Sequence, residues 1–189
     1  GPGVSGAFCC HRKAAAAAAA QQGGMTMPAT PITPVTRYWP TGTARWLWVP
    51  TLSDYRNPTR AELDAGTDLT GELAATEGWS TSGEQIETPD GNSRFTATIP
   101  GAITAEESSL TLYADPTGED ARELMPRDAE GFIVRMLGGD APGRKMDIFP
   151  VRVTTVSKLA NVGENEAARI QVQFAITREP AEDVEIPAS

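Results

Sequence analysis

Between Arg169 and Thr177 apolar residues recur at every second position: Ile170, Val172, Phe174 and Ile176. A period of two belongs to a strand with one buried face, because a helix would scatter these side chains around its axis. The same rule reads Leu110 and Leu112, alternating with Thr111 and Tyr113, as a strand. Phe95, Ala97 and Ile99, alternating with Arg94, Thr96 and Thr98, read as another half-exposed antiparallel strand. Ala44–Val49 behaves differently. Trp46 and Trp48 fall on one face and Leu47 and Val49 on the other, which predicts a central strand covered on both sides, with the tryptophans in the core. Phe132–Leu137, after Gly131, reads as a mostly buried strand, and Ile148–Val156 as one with Val151 and Val153 on a shared face.

Punctuation supports the same class. The chain has 18 Gly and 15 Pro, so turns are frequent and long helices few. Pro89-Asp90-Gly91-Asn92 is a strong hairpin turn, and Gly83 separates two further short runs, Gly78–Ser80 and Gln85–Glu87. Two short helices are expected. One follows Pro58 with a Thr59/Glu62 capping box and stops at Gly66; the other runs from about Pro116 to Met125, capped by Thr117 and Asp120. Gly138–Met146 reads as a long mobile loop. Seven or eight short strands with two helices predict a mainly β fold, a β-sandwich or barrel of antiparallel strands with helical decoration.

The first 24 of the 189 residues do not share this pattern. They hold both cysteines, the sole histidine and the run Ala14–Ala20, and read as an expression-derived stretch, an upstream extension or a flexible arm, with Met25 or Met27 as the natural start. They lack the apolar stretch of a secretory signal, and no window is long and apolar enough to span a membrane. Residues 25–40 form an extended Pro-rich arm ending in Tyr38 and Trp39, which suggest pinning to an apolar surface. Residues 41–178 make the domain, and 179–189 an acidic, loose tail.

Charge excludes much. The chain stands at −9, and because residues 1–24 add two bases and no acid, the body stands at −11. A surface that grips DNA by neutralising phosphates is thereby ruled out. The charge is concentrated: residues 59–130 hold 16 acids and four arginines, while residues 25–58 sum to +2 and residues 131–189 to −1. A body without Cys or His excludes thiolate chemistry, the usual zinc sites and His-based triads. Gly138–Lys145 resembles a phosphate loop only superficially, since Arg144 stands where the lysine belongs and Met146 where Ser or Thr would bind magnesium. The pairs Glu106/Glu107, Glu119/Asp120 and Asp128/Glu130 lack calcium-loop spacing and read as solvated charge. No cofactor, metal or catalytic residue is expected, and the protein reads as a non-enzyme. Trp79, between Gly78 and Ser80, is the expected exposed aromatic and a candidate interface anchor.

The order of features resembles the major tail tube proteins of long non-contractile-tailed bacteriophages. The resemblance rests on the extended arm, Arg45-Trp46-Leu47-Trp48-Val49-Pro50, the stretch Pro58–Thr70, Gly78-Trp79, Phe95–Gly101, a helix near Pro116–Met125 and a strand–loop–strand ending. It implies a β-sandwich forming hexameric rings that stack into a tube. In such a tube one sheet per subunit joins an inner barrel, and a long hairpin and the terminal arms bridge neighbours. The implied partners are further copies of the chain and other tail proteins (tape measure, tail terminator, distal tail protein). DNA passes as unspecific cargo, and the location is the virion, after assembly in the host cytoplasm. An acidic lumen would let DNA slide without attraction. On this reading Trp39, Trp79, Glu84, Glu87, Asp90, Arg94, Arg144 and Lys145 are the inter-subunit or lumen candidates, the three bases pairing with a neighbour's acids. Two other readings stay open: a tail terminator or head–tail joining ring protein, and a carbohydrate- or protein-binding sandwich.

Overall fold

The computed structural model describes residues 32–159 and 166–188. The leader therefore lies outside the described residues, as do the first residues of the Pro-rich arm. Residues 32–37 carry no regular secondary structure, and the folded unit begins at Tyr38.

The described chain is mainly β, with ten strands: β1 Arg45–Val49, β2 Thr67–Asp68, β3 Leu73–Glu77, β4 Thr81–Thr88, β5 Ala97–Ala105, β6 Ser108–Tyr113, β7 Glu130–Met136, β8 Lys145–Leu159, β9 Arg169–Ile176 and β10 Ala181–Glu185. Two short helices, α1 Arg60–Asp64 and α2 Ala121–Leu124, decorate them. All pairings are antiparallel. Eight strands form one sheet in the order β2-β1-β7-β8-β9-β6-β3, with β10 on β8; β4 and β5 form a second sheet by themselves.

The large sheet curls. β1 and β6 are separated by three strands, yet Trp46 and Trp48 of β1 share one buried cluster with Leu110 and Leu112 of β6. A flat sheet would hold them about 19 Å apart at ~4.8 Å per strand, so the opposite ends must fold over a common core. The end strands β2 and β3 are also consecutive in sequence, joined by Leu69 and the 3₁₀ turn Thr70–Glu72. Phe149, Val151 and Val153 of β8 and Ile170, Val172 and Phe174 of β9 complete this core. A second cluster lies on the other face of β1, β7 and β8, where Val49, Val134, Met136 and Ile148 meet Leu63 of α1 and Ile186 beyond β10. β1 and β7 are thus covered on both sides, as the apolar pattern of Ala44–Val49 requires. At Gly131 an added Cβ would lie 2.6 Å from the Trp48 ring, so only glycine lets that indole cross β7.

Local signals act as expected at α1. Thr59 accepts from the Glu62 amide at 3.4 Å, and the Glu62 carboxylate takes the Thr59 amide at 2.8 Å. These bonds, with the Ser53 amide at 2.9 Å, hold the Glu62 carboxyl down at about 2.

Four expectations need correction. The second helix is a single turn, because Asp120 is its N-cap and Met125 precedes Pro126; Thr117 bonds Asp115 instead of closing a box with Asp120. Gly83 lies inside β4 and does not divide two runs. The Gly138–Met146 loop is tied down: Arg60 clamps both Asp140 oxygens at 2.5 and 2.7 Å, and the Gly143 amide donates to the Ile186 carbonyl at 3.0 Å. The acidic tail is a strand, with Ala181 opposite Ile148 and Ile186 1 % exposed.

Candidate assembly surface

β4 and β5 form a hairpin of eight- and nine-residue strands, about 26 Å long at ~3.3 Å per residue. Its turn is the one the sequence announces. The Asn92 amide donates to Asp90 Oδ1 at 3.0 Å, and the Ser93 amide to the Asp90 carbonyl at 3.2 Å. The alternation from Arg94 to Ile99 predicts a half-exposed strand, but β5 begins only at Ala97 and leaves Arg94, Phe95 and Thr96 in the turn region. Both faces of the strand are open. Ile86 opposes Ile99 on one face, exposed by 51 % and 49 %, and Ile103, which pairs with Gly83 beyond the register shift and so lies on the other face, is 70 % exposed. The alternation signals a strand, but this strand has no core behind it. An isolated two-stranded ribbon is marginal in water, so these faces need cover from elsewhere.

The root is rigid, by contrast. Trp79 is 4 % exposed, packs edge-on against Trp46 and Phe149, and donates its indole N–H to the Ser109 carbonyl at 3.0 Å. This overturns its reading as an exposed anchor. Its Gly and Ser neighbours mark the start of the hairpin, while the ring itself points back into the curled sheet. Beside it Gly78 sits at φ +88, and a Cβ there would come within 2.0 Å of the Glu107 carbonyl. Arg135 ties the root to the sheet. Its guanidinium donates to the Trp79 carbonyl at 3.1 Å and to Asp147 at 2.9 and 3.1 Å, above the Phe149 ring. Asp147 also accepts from the Asp183 amide of β10 at 3.1 Å, and Thr81 reaches Glu182 at 3.3 Å. One buried-edge cation thereby joins hairpin, sheet and C-terminal strand. Nothing local in the sequence singles Arg135 out.

The remaining candidates are spread out. Glu84 and Glu87 lie three residues apart on β4 and so project from opposite faces of the hairpin. Asp90 and Arg94 sit in its turn region, both exposed, and no bond to the Arg94 side chain is found among the described residues. Trp39 is 77 % exposed, without an apolar surface over it. Arg144 donates to the Gly138 carbonyl and Lys145 Nζ to the Asp183 carbonyl at 2.9 Å, so both already brace their own chain. The candidates therefore do not converge on one site; Glu84, Glu87, Asp90 and Arg94 share the hairpin, and Arg144 and Lys145 share the β8–β10 edge. Among the described residues there is no cluster of metal-ligating side chains, and no helix is long and apolar enough to cross a membrane.

Comparison with known proteins agrees with this architecture. The chain resembles the anti-feeding prophage tube-terminating cap at 18 % identity, with a TM-score of 0.52 over 79 % of this chain and 93 % of that one. It also resembles a chain from the PVC sheath/tube terminator of an extracellular contractile injection system, in the extended state, at 13 % identity and a TM-score of 0.54, over 77 % and 96 %. A chain from the PVC sheath–tube complex is similar at 12 % identity and a TM-score of 0.51, over 72 % and 85 %. At these identities the likeness is one of fold. Among curated proteins none matches the sequence. The family model described as "Phage tail tube protein" matches residues 30–189, and the chain belongs to that family.

Proposed function

We propose that this protein is the structural, non-enzymatic subunit of a phage tail tube. Its copies associate into hexameric rings that stack into a hollow conduit for the viral genome, within a virion tail that also holds tape measure, terminator and distal tail proteins. The observation that carries this reading is the hairpin β4–β5: a ribbon held by a rigid root, with apolar side chains exposed on both faces and no third strand beside it among the described residues. Strand ribbons of this kind gain stability by laying against another chain, and contacts between identical copies repeat into rings or filaments. The acidic block 59–130 supports a conduit through which DNA slides unattracted, with Glu84, Glu87 and Asp90 on the lumen or facing the next ring.

The likeness in fold to cap and terminator chains favours one second reading, a ring that ends a tube instead of building it. Negative-stain microscopy of purified protein separates the two. Tubes or stacks of rings of varied length are expected; single rings of fixed height would mean a terminator, and persistent monomers would overturn both.

A further inference from the structure

The curled sheet is not closed, and its seam is a groove. Its end strands β2 and β3 do not pair with each other, and on the β2 side an opening of about 630 Å³ lies between the Thr67–Glu72 segment and the end of β6, against α2. Its floor is apolar, built from Leu69 and Leu112 with Leu124 of α2. Its rim is anionic: Glu72, Glu119 and Glu123 are exposed, and no cation is found paired with any of them among the described residues. An apolar floor with a negative rim fits a segment that presents a large apolar side chain beside a positive charge.

The hairpin tip presents that pair. Phe95 is 77 % exposed, and the adjacent Arg94 is exposed with no bond to its side chain found among the described residues. The other charge of the turn, Asp90, is engaged with the Asn92 amide. The eight residues of β4 put the turn about 26 Å from the hairpin root at ~3.3 Å per residue. We propose that the tip of one copy docks in the seam groove of a second copy. Phe95 fills the apolar floor and Arg94 lies among Glu72, Glu119 and Glu123. Tip and groove are different surfaces of the same chain, so the contact is heterologous and repeats from copy to copy. A desolvated aromatic is the strong element of such contacts, and the charges choose the partner and the register. This inference rests on the tube-subunit reading and names the surfaces that join its copies.

The test uses the full chain with Phe95 replaced by the photocrosslinker benzoylphenylalanine, assembled from a mixture of isotopically labelled and unlabelled copies. The expected result is cross-links between labelled and unlabelled chains that map to residues 67–72 and 112–124. Their yield should fall severalfold when Glu119→Lys and Glu123→Lys are introduced together, and recover when Arg94→Glu is added. Tubes or rings that form normally but cross-link elsewhere, within one chain, or not at all would overturn the groove assignment while leaving the tube reading intact. Failure of the unsubstituted protein to assemble under any condition would overturn both.

Discussion

β1 and the hairpin β4–β5 are both strands with apolar residues on two faces, and they meet opposite fates. Trp48 and Val49 of β1 are 2 % and 1 % exposed, because β7, β8, α1 and the curled sheet supply a core on each side. Ile86, Ile99 and Ile103 of the hairpin remain about half or more exposed, because β4 and β5 pair only with each other in a sheet of two strands. The same pattern is therefore structural in one place and unspent in the other. The difference lies in whether the chain's own topology provides a cover; for the hairpin the described residues provide none, and in the proposed tube another copy supplies it.

Phe149→Ala removes a fully buried ring against which Trp79 packs and should cost about 3–5 kcal/mol of stability in denaturant titration of the monomer. A loss as small as that of a hairpin substitution would mean that the two regions do not differ as described. Gly78→Ala puts a Cβ against the Glu107 carbonyl in a left-handed backbone and should cost about 1–3 kcal/mol, read in the same way. Arg135→Ala frees the half-buried Asp147 and the Trp79 carbonyl and should cost about 1–2 kcal/mol, with hydrogen exchange rising first at residues 78–81.

Acid sharpens the contrast further. The Glu62 carboxyl is held at about 2 by the amides of Thr59 and Ser53, and the Asp120 carboxyl at about 2, chiefly by the Arg122 guanidinium. Both lie below their ordinary values, so the folded state binds fewer protons than the unfolded one. Their stabilisation is full above about pH 4 to 5 and disappears as the pH falls toward 2. Thermal midpoints should drop through that window, and Glu62→Gln should flatten part of the drop. The smallest effect belongs to the uncovered side. Ile86→Ala or Ile99→Ala should change monomer stability by no more than about 0.5 kcal/mol while lowering the yield of assemblies in sedimentation. A large loss of monomer stability would show that the hairpin is already covered within the chain.

Much of the sheet was legible because its cause is local. Ile170–Ile176, Leu110/Leu112 and Trp46–Val49 carry their burial in their own spacing, and Thr59/Glu62 cap α1 through four consecutive residues. What escaped depends on distant partners. Trp79 has the sequence neighbours of a surface turn, but the space it fills is made by Trp46, Phe149 and Phe174. Ala181–Glu185 looks like an acidic tail, and only the free edge of β8, with Lys145 and Ile148 along it, turns it into a strand. Alternation in β5 likewise announces a strand without saying whether anything lies behind it.

The claim that the hairpin is reserved for another copy is tested most directly by hydrogen exchange of residues 81–105, compared between monomer and assembled protein. The account predicts fast exchange in the monomer and strong protection of both β4 and β5 after assembly. Equally fast exchange of this segment in assembled rings or tubes would contradict it.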